Sequence, residues 1–165
     1  MKKFILLFFA ITCCIQANAQ DTNYVETSLG LSFTASTLSK GYDWGIGLVS
    51  SQDLDTSGLG FGYMVQVTYL QPSDALSNII DYGYTSDLLL KYDFELTKGF
   101  EIAPTAGVGY FGVQSDNGNS AEFYFAAGGT GSYFIGKSTI LGFEITKPFL
   151  EGADVSMAFS VRFQI

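Results

Sequence analysis

The sequence predicts an all-β chain of eight antiparallel strands that run up and down and close into a barrel. Three observations predict it. After residue 20, apolar and polar residues alternate with period two in blocks divided by Gly, Asn, Asp and Ser, and no helical period of useful length appears. The last block alternates to the chain's end: Val155, Met157, Phe159, Val161, Phe163 and Ile165 take one face, and Ser156, Ala158, Ser160, Arg162 and Gln164 the other. The first residues form an export leader, with Lys2 and Lys3 followed by an apolar run from Phe4 to Ile11 and the small residues Ala17 and Ala19 around Asn18.

That leader is too short to span a bilayer, since the apolar run breaks at Thr12 and Cys13 where a span needs about 20 residues. Cleavage is expected after Ala19, leaving residues 20–165 as one domain. Both cysteines, Cys13 and Cys14, leave with the leader, so the mature chain has no disulfide and no thiolate metal site. The whole chain carries a net charge of −8 with 16 acidic residues, and losing Lys2 and Lys3 makes the mature chain more acidic still. Acidity of this kind argues against nucleic acid as a partner.

The strands follow in order. The first covers 24–34, with Val25, Thr27, Leu29, Leu31 and Phe33 on its apolar side. A second, 43–51, sets Trp44, Ile46 and Leu48 against Gly45, Gly47 and Val49, and a third, 59–70, sets Phe61, Tyr63, Val65, Val67 and Tyr69 against Gly60, Gly62, Met64, Gln66 and Thr68. The fourth, 84–96, separates Leu88, Leu90, Tyr92, Phe94 and Leu96 from Asp87, Lys91, Asp93 and Glu95, as a strand with one polar side requires. The fifth spans 100–113. The sixth, 121–135, carries Phe123, Phe125, Tyr133 and Ile135 on its apolar side, and the seventh, 139–147, opposes Leu141, Phe143 and Ile145 to Gly142, Glu144 and Thr146. Residues 154–165 make the eighth. Residues 96–99 and 135–138 read as tight turns, and 71–83 and 114–120 as longer loops, an asymmetry expected of a membrane-crossing barrel.

Alternation alone does not say whether the apolar face looks outward. Two features decide. Aromatic residues of apolar parity collect at the strand ends, Trp44, Tyr69, Tyr84, Tyr110 and Phe123 toward the loops and Phe61, Phe94, Phe100, Tyr133 and Phe163 toward the turns, as two interfacial girdles would. The opposite face mixes glycines with charged residues, which suits a cramped lumen that only side chains can fill. The expected architecture is therefore a transmembrane barrel with membrane lipid outside. Within it, Arg162, Glu26, Glu144, Lys91 and Asp93 are expected to form a lumen charge cluster, with Arg162 beside Glu26 on the first strand and Glu144 on the seventh.

These residues resemble the small outer-membrane β-barrel family that includes OmpA-like and OmpX-like transmembrane domains and the porin-family barrels. The likeness covers the mature chain and rests on the cleavage site at Ala17 to Ala19, on segments 84–96 and 102–113, and on the terminal strand. It implies an outer-membrane location and recognition by the barrel-assembly machinery through Phe159, Val161, Phe163 and Ile165. It also implies a structural or surface-interaction role. One departure is that the chain ends in Ile165, where such barrels commonly end in an aromatic residue; Phe163 lies two positions earlier on the same face.

No enzyme is expected. The chain has no histidine, so Ser-His-Asp chemistry is unavailable, and the barrel enzymes that resemble it in size or setting depend on one. No cofactor or metal is expected either. Gly107, Gly109 and Gly112 spell a dinucleotide fingerprint but no helix follows. Asp53 with Asp55, and Asp116 with Asn117 and Asn119, read as turn residues rather than calcium ligands. Ile79 and Ile80, apolar residues within the longest loop, are candidates for contact with an external partner that the sequence does not name. Two other readings stay open from the sequence: a soluble periplasmic lipocalin-like barrel around a small hydrophobe, and a narrow channel of low conductance.

Overall fold

A computed structural model describes residues 27–35, 41–54, 60–116 and 118–165. The leader with its cleavage site, the predicted start of the first strand with Val25 and Glu26, and Asp55, Leu59 and Asn117 lie outside the described residues.

Among the described residues nine strand segments form the fold: β1 Thr27–Ala35, β2 Tyr42–Asp53, β3 Phe61–Pro72, β4 Tyr82–Tyr92, β5 Phe94–Thr97, β6 Phe100–Ser115, β7 Gly118–Ile135, β8 Thr139–Phe149 and β9 Ser156–Gln164. Each pairs antiparallel with its sequence neighbour, save that β4 and β5 both pair with β6, and β1 pairs with β9, so the sheet closes on itself. β4 and β5 run along β6 as one stave, which makes the closed barrel eight-stranded. The predicted single strand over 84–96 is thus interrupted at Asp93, whose backbone N–H turns aside to donate to the Gly60 carbonyl. Alternation passes through this break undisturbed, so composition could not reveal it.

Closure is continuous at the chain's ends. Residues 28–35 pair with 157–164, and the Ile165 N–H donates to the Thr27 carbonyl. At the turn end, Gly99 and Gly136 adopt φ of 83° and 70°, a region costly to a residue with a Cβ, and they close the tight turns predicted at 96–99 and 135–138.

The predicted loop over 114–120 is corrected. β6 runs to Ser115 and β7 starts at Gly118, these two residues pair across the hairpin, and Ser115 Oγ donates to the Gly118 carbonyl at 2.8 Å. The polar composition suggested a loop, whereas the Asn117-Gly118 dipeptide is a hairpin signal, and turn chemistry prevails over composition here. β6 and β7, at 16 and 18 residues, exceed the roughly 9–11 that a tilted strand needs to cross a bilayer, so their hairpin rises above its neighbours. Its β7 arm is paired on one side only up to Tyr124, because β8 joins from Phe125 onward.

Parity sorts the faces as the sequence reading expects. Leu29, Leu31 and Phe33 of β1, Trp44, Ile46 and Leu48 of β2, Leu88 and Leu90 of β4, and every second residue from Met157 to Phe163 of β9 are exposed to the outside. Between them Ser28, Ser32, Thr34, Gln66, Thr68, Lys91 and Arg162 are buried within. Ring contacts link Tyr69, Tyr82, Tyr84, Tyr110 and Phe123 into an arc at the loop end, with centroid separations from 5.0 to 6.5 Å. At the turn end Phe61, Tyr92 and Phe94 form a second arc with separations of 4.8 and 4.6 Å. Edge-to-face and offset pairs of this kind add about 0.5–1.5 kcal/mol each beyond their burial.

Candidate functional site

The interior is layered. In its middle, Val49, Met64 and Leu89 from three neighbouring staves meet Tyr124 and Ala126 from β7 in an apolar cluster. This cluster stands between a turn-side group and a loop-side group of polar residues, and a third cavity beside Val49 and Met64 joins the two.

In the turn-side half the Lys91 ammonium pairs with Asp93 at 2.7 Å and with Asp53. Arg162 is buried at 6 % exposure and donates from Nη2 to Ser132 Oγ at 2.6 Å, while its Nε finds no hydrogen-bond partner. A cavity of about 20 Å³ here is lined by Asp53, Lys91, Glu101, Ser132 and Arg162. Glycines make this arrangement fit. A Cβ on Gly142 would lie 3.2 Å from Arg162 Nη2, and one on Gly62 would lie 2.6 Å from the Lys91 stem. Long cationic side chains lie across bare backbone, which is why small residues and charges share the inward parity.

In the loop-side half two acids accept hydrogen bonds from hydroxyl groups. The Tyr124 hydroxyl donates to Asp87 Oδ1 at 2.5 Å, and the Thr146 hydroxyl donates to Glu144 Oε1 at 2.5 Å. Asp87 and Tyr124 flank Gly109 in the sheet, and Gly109 is glycine because a side chain there would drive into the Tyr124 ring. A second cavity of about 20 Å³ opens among Asp87, Glu144, Tyr124, Thr34 and Thr68. A third, about 10 Å³, lies between Glu144 and Arg162.

The residues expected to cluster are therefore placed in two groups. Lys91 and Asp93 meet directly; Arg162 shares their cavity; Glu144 lies on the loop side; Glu26 is outside the described residues. In the register Arg162 opposes Gly30 on β1 and Ile140 on β8, while Glu144 opposes Ala158, and the side chains of Arg162 and Glu144 line the third cavity together. Parity was sufficient to turn these side chains inward, but register, which parity does not carry, decides which ones meet. Asp53, Glu101, Tyr124 and Thr34 were not singled out from sequence as a group, although Tyr124 shows its inward parity by standing between Phe123 and Phe125.

The terminal residues Phe159, Val161, Phe163 and Ile165 all face outward. Segment 73–81 forms a short helical turn in which the Ser77 N–H donates to the Ser73 carbonyl and the Ile80 N–H to the Leu76 carbonyl. It exposes Ile79 at 60 % and leaves Ile80 half-buried. Among the described residues no group of three or more His, Cys, Asp or Glu converges as a metal centre.

No protein-family profile and no curated protein sequence matches the chain. Solved structures do. The N-terminal β-barrel domain of Pseudomonas aeruginosa OprF superposes with a TM-score of 0.60 at 13 % identity, covering 86 % of this chain and 97 % of that one. A major outer membrane protein from Thermus thermophilus gives 0.61 at 12 % identity, covering 87 % and 100 %. Ail, the attachment invasion locus protein of Yersinia pestis, gives 0.57 at 12 % identity, covering 85 % and 96 %. At such identities the likeness speaks for the fold, and the closed eight-stranded barrel with its outward apolar face matches it. The chain has the fold of the small outer-membrane β-barrels.

Proposed function

We propose that this chain is an exported, integral outer-membrane protein, cleaved after Ala19, whose barrel anchors it and whose loop-end elements contact a partner at the envelope surface. The observation that carries the reading is the outward apolar face, which runs over staves from β1 to β9 and ends in aromatic arcs at both rims. Water would not tolerate a belt of this extent on a monomer, whereas hydrocarbon solvates it and aromatic rims favour headgroup depth. A lipocalin-like barrel would need the reverse orientation, with aromatics enclosed and charges outside.

The lumen reads as packing rather than as a conduit. Cavities of about 20, 20 and 10 Å³ are each about the size of one water, and the Val49, Met64 and Leu89 layer lies between the charged halves. Support for a surface role comes from the raised β6–β7 hairpin, exposed throughout 118–123, from Ile79 at the tip of the neighbouring loop, and from the attachment role in the name of Ail. Assembly through the outward residues of β9 belongs to the same proposal.

Carbonate extraction of envelope fractions with heat-modifiable gel migration tests the anchor: the protein stays in the membrane pellet and migrates differently before and after boiling. Release into the soluble fraction would end the reading. Planar-bilayer recording tests the lumen, where a silent bilayer is expected and discrete conductance steps would replace packing with a channel.

A further inference from the structure

We propose that the loop-side cavity of the lumen binds one hard divalent cation of the size and charge of Ca²⁺, held between the carboxylates of Asp87 and Glu144 with the Thr34 hydroxyl as a neutral ligand. This goes beyond the anchoring role and depends on the lumen alone.

Charge balance is the first argument. Among the described residues facing the lumen, Lys91 and Arg162 are outnumbered by Asp53, Asp87, Asp93, Glu101 and Glu144. Both cations lie toward the turns, Lys91 in contact with Asp53 and Asp93 and Arg162 bonded to Ser132. Asp87 and Glu144 line one cavity, in whose lining no described Lys or Arg takes part, and Arg162 meets Glu144 only across the next. Two carboxylates in one desolvated space are unstable as a bare pair, because removal from water costs each ion several kcal/mol unless an opposite charge offsets it.

The second argument is independent of the acids. Thr34 is 2 % exposed, lines the same cavity, and its Oγ1 has no hydrogen-bond partner. Buried hydroxyls are almost always satisfied, so an orphan oxygen at the wall of a cavity points to an occupant of that cavity.

Donor chemistry and size then select the occupant. The lining oxygens are carboxylate, hydroxyl and the Gln66 amide, all hard donors, and no sulfur or imidazole lines the space. The hydrogen bonds from Tyr124 and Thr146 orient the two carboxylates and leave each with further lone pairs. A cavity of about 20 Å³ admits one water-sized occupant. That suits a largely dehydrated Ca²⁺, whose coordination is flexible, and not Mg²⁺, which retains its water shell.

The test uses the mature chain folded into phosphatidylcholine nanodiscs, free of anionic lipid, and titrated with Ca²⁺ by calorimetry. A single saturable site with a dissociation constant of about 10⁻⁴ to 10⁻³ M, the range of modest extracellular calcium sites, is expected. Glu144→Gln and Asp87→Asn should each weaken it about tenfold or more, and Thr34→Val, nearly isosteric, by a few-fold. Heat-modifiable migration confirms that each variant is folded, and Thr34→Val supplies the result if a carboxylate variant does not assemble. No saturable uptake by the folded wild type, or uptake unchanged by the variants that fold, overturns the proposal. The first result would mean that water fills the cavity, and the second that exposed carboxylates such as Asp116 and Glu122 bind the ion.

Discussion

Leu88, Leu89 and Leu90 are the same residue three times over, yet the outer two are 48 % and 63 % exposed and the middle one is 1 % exposed. Leu89 packs into the apolar layer of the lumen, and its neighbours face outward toward the lipid of the proposed anchor. One residue further, Lys91 is buried in an ion pair with Asp93. Hydrophobicity does not sort these four positions; the two-residue period of the strand does, and each face has its own solvent. An outward position is judged by compatibility with hydrocarbon, an inward one by whether its shape and charge are matched by particular partners.

That comparison can be broken experimentally. The largest effect is expected inside: Lys91→Ala leaves the half-buried Asp53 and Asp93 without their cation and should cost about 3–5 kcal/mol, read from urea unfolding in lipid vesicles. A loss below about 1 kcal/mol would mean that these charges are already hydrated. Outside, Leu90→Arg near mid-membrane should cost about 2–4 kcal/mol by the same measurement, and a neutral result would place Leu90 in water. Gly109→Ala sharpens the inside further by forcing the Tyr124 ring off Asp87. About 1–3 kcal/mol of overpacking is expected, with a shifted tyrosine ring resonance as its spectroscopic sign. Asp116→Ala, exposed at the hairpin tip, should change stability by less than about 0.5 kcal/mol. An effect as large as that of Leu90→Arg would show that the raised hairpin is packed rather than free.

The faces were legible in the sequence because parity needs no knowledge of neighbours. Leu29, Trp44, Phe61, Leu90 and Phe163 all point where alternation puts them, and Gly99 and Gly136 mark their turns by the conformation that only glycine adopts cheaply. What was not legible depends on pairing. Arg162 opposes Ile140 in the sheet and shares one cavity with Glu144 and another with Lys91, because strand register is set by hydrogen bonds between segments far apart in the chain. The break at Asp93 involves a partner distant in sequence, Gly60 just ahead of β3, and leaves no mark on local pattern. The hairpin at 114–120 was obscured by its polarity. A strand that rises above its neighbours can be polar on both faces and lose the alternation that identifies it, although the Asn117-Gly118 dipeptide still marks the turn. The loop-side cavity was hidden for the same reason as the register. Thr34, Asp87 and Glu144 come from three separate staves, and only closure of the barrel brings them to one space.

The central claim is the direction of the two faces, and single-cysteine scanning across residues 88–91, in protein produced from residue 20 onward, tests it most directly, since no native cysteine lies after residue 19. With a fluorophore at each position and a quencher confined to the acyl region of the bilayer, quenching should be strong at Leu88→Cys and Leu90→Cys and weak at Leu89→Cys and Lys91→Cys. Quenching at 89 and 91 that spares 88 and 90 would contradict the account.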